Sequence, residues 1–184
     1  MALELIDEKL NGLKLFEPKV YSDNRGWFFE SWRADDLTSH GINATFLQDN
    51  HSLSKKNVIR GMHFQHSPPQ GKLLRVVSGS AQVVEVDIRI DSGTFGQWES
   101  FDLSAKNKRV LWVPPGFANG FLALEDNTEV QYKVTNYWSP EGESNIRFDD
   151  PEIGIEWNTN SPITSERDKK AMSIADWKKD GFRF

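Results

Sequence analysis

The sequence contains no cysteine, which excludes disulfide staples, thiolate nucleophiles and cysteine-bearing metal sites. It has no apolar run long enough to cross a bilayer, so no membrane partner is expected. Its first ten residues carry neither a basic n-region nor an apolar h-region, so no signal peptide is read there and a cytoplasmic location is expected. A basic balance is missing too. The formal net charge of -5 argues against a nucleic-acid partner, whose backbone is bound by a basic face that neutralises phosphates. A small anionic ligand needs only a few local cations, and Arg25, Arg60, Lys72 and Arg167 are candidates. No G-x-S-x-G, G-x-x-x-x-G-K-[ST] or G-x-G-x-x-G string occurs, which removes the usual hydrolase, P-loop and dinucleotide readings.

What remains is a chain of 184 residues, read as a single domain over 1–184, with no repeat, low-complexity tract or linker to divide it. Short β-rich segments broken at turn residues dominate its middle, the pattern of an all-β sandwich or small barrel. Residues 72–77 and 81–89 read as the arms of a hairpin joined by Ser78-Gly79-Ser80. In the second arm Gln82, Val84, Val86 and Ile88 share one face, expected to pack. Val83, Glu85, Asp87 and Arg89 share the other, expected to meet something polar, because side chains alternate along a strand. Further strands are predicted over 44–48, 58–65, 98–103, 109–113, 120–124 and 129–137, with Pro114-Pro115-Gly116 as a turn. Two short helices at the margins are predicted, one over 34–40 closed by Gly41 and one over 174–179 capped by Ser173 with Asp176 three residues on. The seven tryptophans and twelve phenylalanines are read mainly as core.

Polar groups concentrate in Gln48-Asp49-Asn50-His51-Ser52 and Arg60-Gly61-Met62-His63-Phe64-Gln65. A histidine on a strand is often a hydrogen-bonded structural residue. His63 gains interest because Gln65 and Gly61 share its strand face, and Gly61 has no side chain to obstruct a ligand. A metal site is the first rival. His63 and His66 are three apart and point to opposite faces of a strand, with no His-x-His pair to aim two ligands inward, so no metal is expected.

Together with Asp23-Asn24-Arg25-Gly26-Trp27-Phe28-Phe29-Glu30, Gln70-Gly71-Lys72-Leu73, Val86-Asp87-Ile88-Arg89, Thr94-Phe95-Gly96, Leu111-Trp112-Val113-Pro114-Pro115-Gly116-Phe117-Ala118, Tyr132-Lys133, Ile153-Gly154-Ile155-Glu156-Trp157 and Ser165-Glu166-Arg167-Asp168, these segments resemble the dTDP-4-dehydrorhamnose 3,5-epimerase family over nearly the whole chain. The resemblance implies an all-β, cupin-like jelly-roll barrel with short flanking helices, working as a homodimer without a cofactor. The nucleotide-sugar substrate would lie inside the barrel, with nucleotide recognition supplemented from the partner chain. By the same resemblance His63 is the base and pairs with Asp168, Tyr132 is the acid, and Lys72 supports the developing enolate. Arg25, Glu30, Gln48, Asn50, Arg60, Glu143 and Arg167 fall at nucleotide-sugar binding positions, and Trp138 where the family usually stacks a tyrosine on the nucleobase.

These residue types suit the chemistry implied. A ketone at C4 acidifies the hydrogens on C3 and C5, so inversion requires a base on one face, an acid on the other and stabilisation of the enolate between them. An unperturbed histidine, with a pKa near 6.5, is neutral and basic in the cell, and a tyrosine, at about 10, keeps its proton until the carbanion appears. Tyr132 read alone is equally a strand tyrosine packed in the core, and Asp168 a solvated member of the charge run Glu166-Arg167-Asp168-Lys169-Lys170. Two positions depart from the family. Asn119 stands where it usually has histidine, and Val83 where it commonly has aspartate. Asn119 can still bind substrate by hydrogen bonding, but Asn119-Gly120 is also a favoured hairpin turn. The readings carried forward are epimerisation at C3 and C5, leading to dTDP-4-dehydro-L-rhamnose, or at one of them, or on another nucleotide sugar such as a CDP-linked one. A 4-keto-sugar ketoisomerase and a non-catalytic sugar-nucleotide-binding cupin are the rivals from outside.

Overall fold

Strand-forming stretches interrupted at glycine and proline fold, in the computed structural model, which describes residues 2–184, into thirteen strands and three short helices among the described residues. In chain order these are β1 (Leu3–Lys9), β2 (Leu13–Pro18), β3 (Tyr21–Asp23), β4 (Gly26–Phe28), α1 (Ala34–Ser39), β5 (Gln48–Ser54), β6 (Ile59–Gln65), β7 (Lys72–Ser78) and β8 (Ser80–Asp87). Then follow β9 (Trp98–Ser104), β10 (Val110–Val113), β11 (Phe117–Ala123), β12 (Thr128–Val134), β13 (Glu143–Asn145), α2 (Glu166–Lys169) and α3 (Ile174–Asp180). Two antiparallel sheets face each other, one of six strands ordered β1-β2-β10-β7-β12-β5 and one of five ordered β13-β6-β11-β8-β9. From β5 to β8 and again from β9 to β13 the chain changes sheet at every connection, which makes this a cupin-like jelly roll.

The predicted hairpin between β7 and β8 is therefore not one. Both arms are strands, but β7 belongs to the six-stranded sheet and β8 to the five-stranded sheet. Gly79, at φ +71°, turns a corner between sheets, and a Cβ there would lie 2.6 Å from the Thr128 hydroxyl. A glycine with positive φ serves such a corner as well as a tight hairpin turn, so the local signal was ambiguous. Asn119-Gly120 is no turn either and lies inside β11. The strand predicted over 44–48 begins only at Gln48 and runs on through the polar stretch to Ser54. The two predicted helices form. Ser173 caps α3 by accepting from the Asp176 N–H at 3.1 Å, whereas the short helix α2 was not foreseen.

Three apolar layers follow from this topology. Leu13, Leu74, Val83, Phe101, Leu111 and Phe121 fill the barrel interior at one end. The outer face of the six-stranded sheet packs Phe16, Leu73 and Trp112 under Leu37 of α1 and Ile42. The outer face of the five-stranded sheet packs Phe64, Val84 and Val86 under the C-terminal segment, chiefly Ile153, Ile174 and Trp177. Both faces of β8 are consequently buried, so Glu85 and Asp87 are enclosed. Asp87 is met by Arg89, Ser92 and Thr94. The aromatic residues are less uniformly core than expected: Trp112 and Trp177 are buried, but Trp27, Trp32 and Trp138 are exposed.

Candidate active site

The other end of the barrel interior is a polar pocket of about 310 Å³. Alternation along β5 aims Gln48, Asn50 and Ser52 into it, which explains why that strand is polar on its inner face. Lys72 comes from β7, Tyr132 from β12, Asn119 from β11 and Glu143 from β13, with Trp138 and Arg167 at the mouth.

Arg60 and His63 are three apart on β6, so a regular strand would point them to opposite faces. Both line the pocket. The register explains it: Asn119 opposes His63 and Phe121 opposes Arg60, so Gly61 and Met62 together face Gly120 alone. This is a β-bulge, and it turns both side chains inward. Gly61 is needed for a different reason from the one expected. A Cβ there would stand 2.5 Å from the Gly120 Cα, so the missing side chain admits the β11 backbone rather than a ligand. His66 lies on the outside, against Trp177 and Phe182.

His63 Nε2 lies 2.7 Å from Asp168 Oδ1, and Asp168 is 3% exposed. Asp168 sits in the first turn of α2, where Ser165 caps the helix by accepting from the Asp168 N–H at 3.1 Å. The charge run is thus split by the fold: Glu166 and Lys169 are exposed while Asp168 is buried. Burial pushes the Asp168 carboxyl up, but the His63 hydrogen bond, the His63 and Arg167 charges and the Ser165 contact outweigh it and hold the carboxyl below the usual range. An ionised carboxylate only accepts, so the ring nitrogen facing it carries a proton, and in a neutral ring that tautomer leaves the lone pair on the other nitrogen.

Tyr132 belongs to the six-stranded sheet and His63 to the five-stranded one, so the two stand on opposite walls. Burial, reinforced by the Glu143 charge and opposed by Arg60, raises the Tyr132 pKa, which keeps the phenol protonated. Lys72 Nζ donates to the His63 carbonyl at 3.1 Å and approaches Asn119 Oδ1 at 3.5 Å. Glu143 organises the mouth, accepting from Trp138 Nε1 at 3.0 Å and pairing with Arg167 at 2.9 Å. Gln48 Oε1 accepts from the Trp138 N–H at 3.0 Å, and Gln48 Nε2 donates to Asn50 at 2.9 Å. Arg60 reaches over the barrel wall to Ser54 and the Leu53 carbonyl.

Ten of the side chains singled out from the sequence thus line one pocket, with Asp168 bonded behind His63. Arg25 and Glu30 do not join them. Arg25 pairs with Asp23 on the exposed β3–β4 ribbon, and Glu30 pairs with Arg33. Sequence reasoning missed a role for Glu85, which is 0% exposed and accepts a hydrogen bond from Asn119 Nδ2. Its only signal was the alternation that sets it two residues from Val83 on the same face.

A jelly-roll barrel whose pocket takes a carboxylate-bound histidine from one sheet and a tyrosine and a buried lysine from the other defines a cupin-like fold. The family model described as dTDP-4-dehydrorhamnose 3,5-epimerase matches residues 7–176, and the chain belongs to that family. It is 51% identical over 160 residues to the dTDP-4-dehydrorhamnose 3,5-epimerase of Salmonella typhimurium, covering 85% of this chain and 87% of that one. The crystal structure of dTDP-6-deoxy-D-glucose-3,5-epimerase from Legionella pneumophila in complex with dTDP-4-keto-L-rhamnose superposes with a TM-score of 0.94 at 40% identity, covering 99% of this chain and 98% of that one. A 3'-monoepimerase from Streptomyces bikiniensis in complex with dTDP-quinovose is similar at a TM-score of 0.88 and 30% identity, over 94% and 88% of the two chains.

Proposed function

We propose that this chain is a cofactor-independent epimerase that converts dTDP-4-dehydro-6-deoxy-D-glucose to dTDP-4-dehydro-L-rhamnose, acting as one domain over its length. The observation that carries the reading is the His63–Asp168 pair facing Tyr132 across one pocket. His63 takes the proton from the carbon beside the C4 ketone, and Asp168 stabilises the imidazolium that results. The electron pair moves onto the ketone oxygen, where the Lys72 ammonium meets the developing negative charge. Tyr132 then delivers its proton to the opposite face of the same carbon, and both groups reset through solvent. Substrate and product have the same oxidation state, so the step needs no redox partner.

The mouth suits the nucleotide. Arg60 and Arg167 supply positive charge for a diphosphate, and Trp138, 58% exposed, offers an indole face for a base. Arg25 and Glu30 lie away from the pocket of their own chain. With Trp27 and Phe28 exposed beside Arg25, this arm suits a homodimer in which it reaches the partner's pocket. A cytoplasmic location goes with a soluble nucleotide-sugar substrate.

The test is incubation with dTDP-4-keto-6-deoxyglucose in heavy water, following deuterium at C3 and C5 by NMR. Exchange at both carbons, lost in His63→Ala and leaving no inverted product in Tyr132→Phe, is the expected result. Exchange at one carbon only would replace it with the mono-epimerase reading. No exchange with dTDP- or CDP-linked sugars would overturn both.

A further inference from the structure

Below the pocket lies a carboxylate that the acid-base reading leaves unused. Glu85 is presented by β8 to the barrel interior, opposite Asn119 of β11, and has no exposed surface. Asn119 Nδ2 donates to Glu85 Oε1, and Asn119 Oδ1 faces Lys72 Nζ at 3.5 Å. Among the described residues Glu85 Oε2 has no hydrogen-bond partner. A carboxylate accepts and cannot donate, so it draws the N–H end of the Asn119 amide and thereby turns the carbonyl end to the ammonium. Without it the amide could rotate and set its own N–H groups against Lys72.

The family that this chain resembles commonly has an aspartate at 83 and usually a histidine at 119. Here Val83 packs in the apolar interior with Phe101 and Leu103, while the carboxylate stands two residues along the same strand face and is bridged by an amide. We propose that Glu85 is the buried counter-charge of Lys72, a positioning residue that acts through Asn119 to keep Lys72 protonated and aimed at the substrate oxygen. An ammonium so enclosed, 8% exposed, would otherwise shed its proton. The bridge sets the carboxylate behind the amide, so the field of Lys72 on the pocket is not cancelled at the oxygen where charge develops. This role rests on the reading of the pocket as an enolate-forming site.

The charged and titratable neighbours agree with it. Around the pocket Lys72 meets His63 and Arg60 from β6, Tyr132 from β12 and Glu143 from β13, and across β9 the register partner of Glu85 is Glu99. Burial pushes the Lys72 pKa down while Glu85 and Glu143 push it back up. Burial likewise raises the Glu85 carboxyl well above the usual carboxylate range, against which Lys72 and the Asn119 hydrogen bond pull it back, so each charge depends on the other. Removing the Glu85 charge must therefore lower the pH at which Lys72 loses its proton.

The experiment is an NMR titration of Lys72 in protein carrying 13C-labelled lysine side chains, with Lys72→Ala to assign the signal, set beside pH profiles of kcat. In Glu85→Gln, which keeps the size and an acceptor for Asn119, both the Lys72 titration and the alkaline limb of kcat should move down by roughly one pH unit or more. On the alkaline side kcat should fall roughly tenfold while KM changes less than about twofold. A merely structural glutamate would leave the Lys72 titration in place, and that result overturns the proposal. The unmodified protein supplies a second reading should the variant not fold: the Glu85 carboxyl carbon must show an inflection at the pH where Lys72 titrates, and its absence overturns the pairing. If wild type exchanges no substrate hydrogens yet Lys72 moves in Glu85→Gln, the epimerase reading fails and the pairing stands.

Discussion

Asp168 shows how much a single side chain can depend on its setting. It is buried behind His63, fixed by a helix cap and held below the usual carboxylate range by its hydrogen bonds and neighbouring charges. Asp168→Asn keeps the size but can present an N–H to the ring and favour the wrong tautomer. We expect kcat to fall by roughly two to four orders of magnitude with KM nearly unchanged, measured by the coupled formation of inverted product. A carboxyl with a depressed folded pKa contributes stability above its unfolded pKa, about 3.9, and that contribution is lost as pH falls through the lower folded value. The stability difference between wild type and Asp168→Asn, from urea unfolding, should accordingly be full near neutrality and shrink below about pH 4. A difference that stayed constant into acid would show that Asp168 is not held ionised by His63.

Among the elements, β6 carries the decisive irregularity. Its bulge lets Arg60 and His63 share the pocket and packs Gly61 against the β11 backbone. Gly61 also has φ +145°, a region that side-chain-bearing residues rarely adopt. Gly61→Ala should separate β6 from β11, destabilise the protein by several kcal/mol, on the order of 3, and remove exchange activity even where the fold persists, because Arg60 and His63 lose their common direction. Urea denaturation and the deuterium assay read the two effects separately, and a variant with wild-type stability and exchange would refute the close-approach argument. Much of β6 was legible beforehand as a strand with His63 on it. The bulge was not, since it depends on pairing one residue of β11 with two of β6, and β11 lies more than fifty residues further along the chain. The β7–β8 corner failed for the same reason: local turn chemistry is shared by hairpins and sheet changes, and only the packing of two sheets chooses between them.

Across the whole molecule, the pocket is open at a mouth that Arg25 and Glu30 of the same chain do not reach. If the exposed ribbon serves a partner, a mixture of two inactive variants regains function. Arg25→Ala and His63→Ala proteins, unfolded together and refolded, should form mixed dimers in which the pocket with an intact His63 receives an intact Arg25. Exchange above that of either variant alone, together with dimeric mass by light scattering, is the expected outcome, and no recovery in a demonstrably mixed dimer would rule the arm out of the site. The sequence by itself determined the all-β class, the strands of the middle of the chain and two of the helices, because alternation and caps are written in near neighbours, while the residue set expected for an acid-base pocket came from the resemblance of whole segments to a known family. Tertiary structure alone decided which strands share a sheet, that Arg60 turns inward beside His63, that Asp168 is buried while the charges around it are solvated, and that Glu85 lies beneath Lys72. Each of those rests on contacts between strands far apart in the chain, where the geometry of pairing and the exclusion of water, rather than any local pattern, select the arrangement.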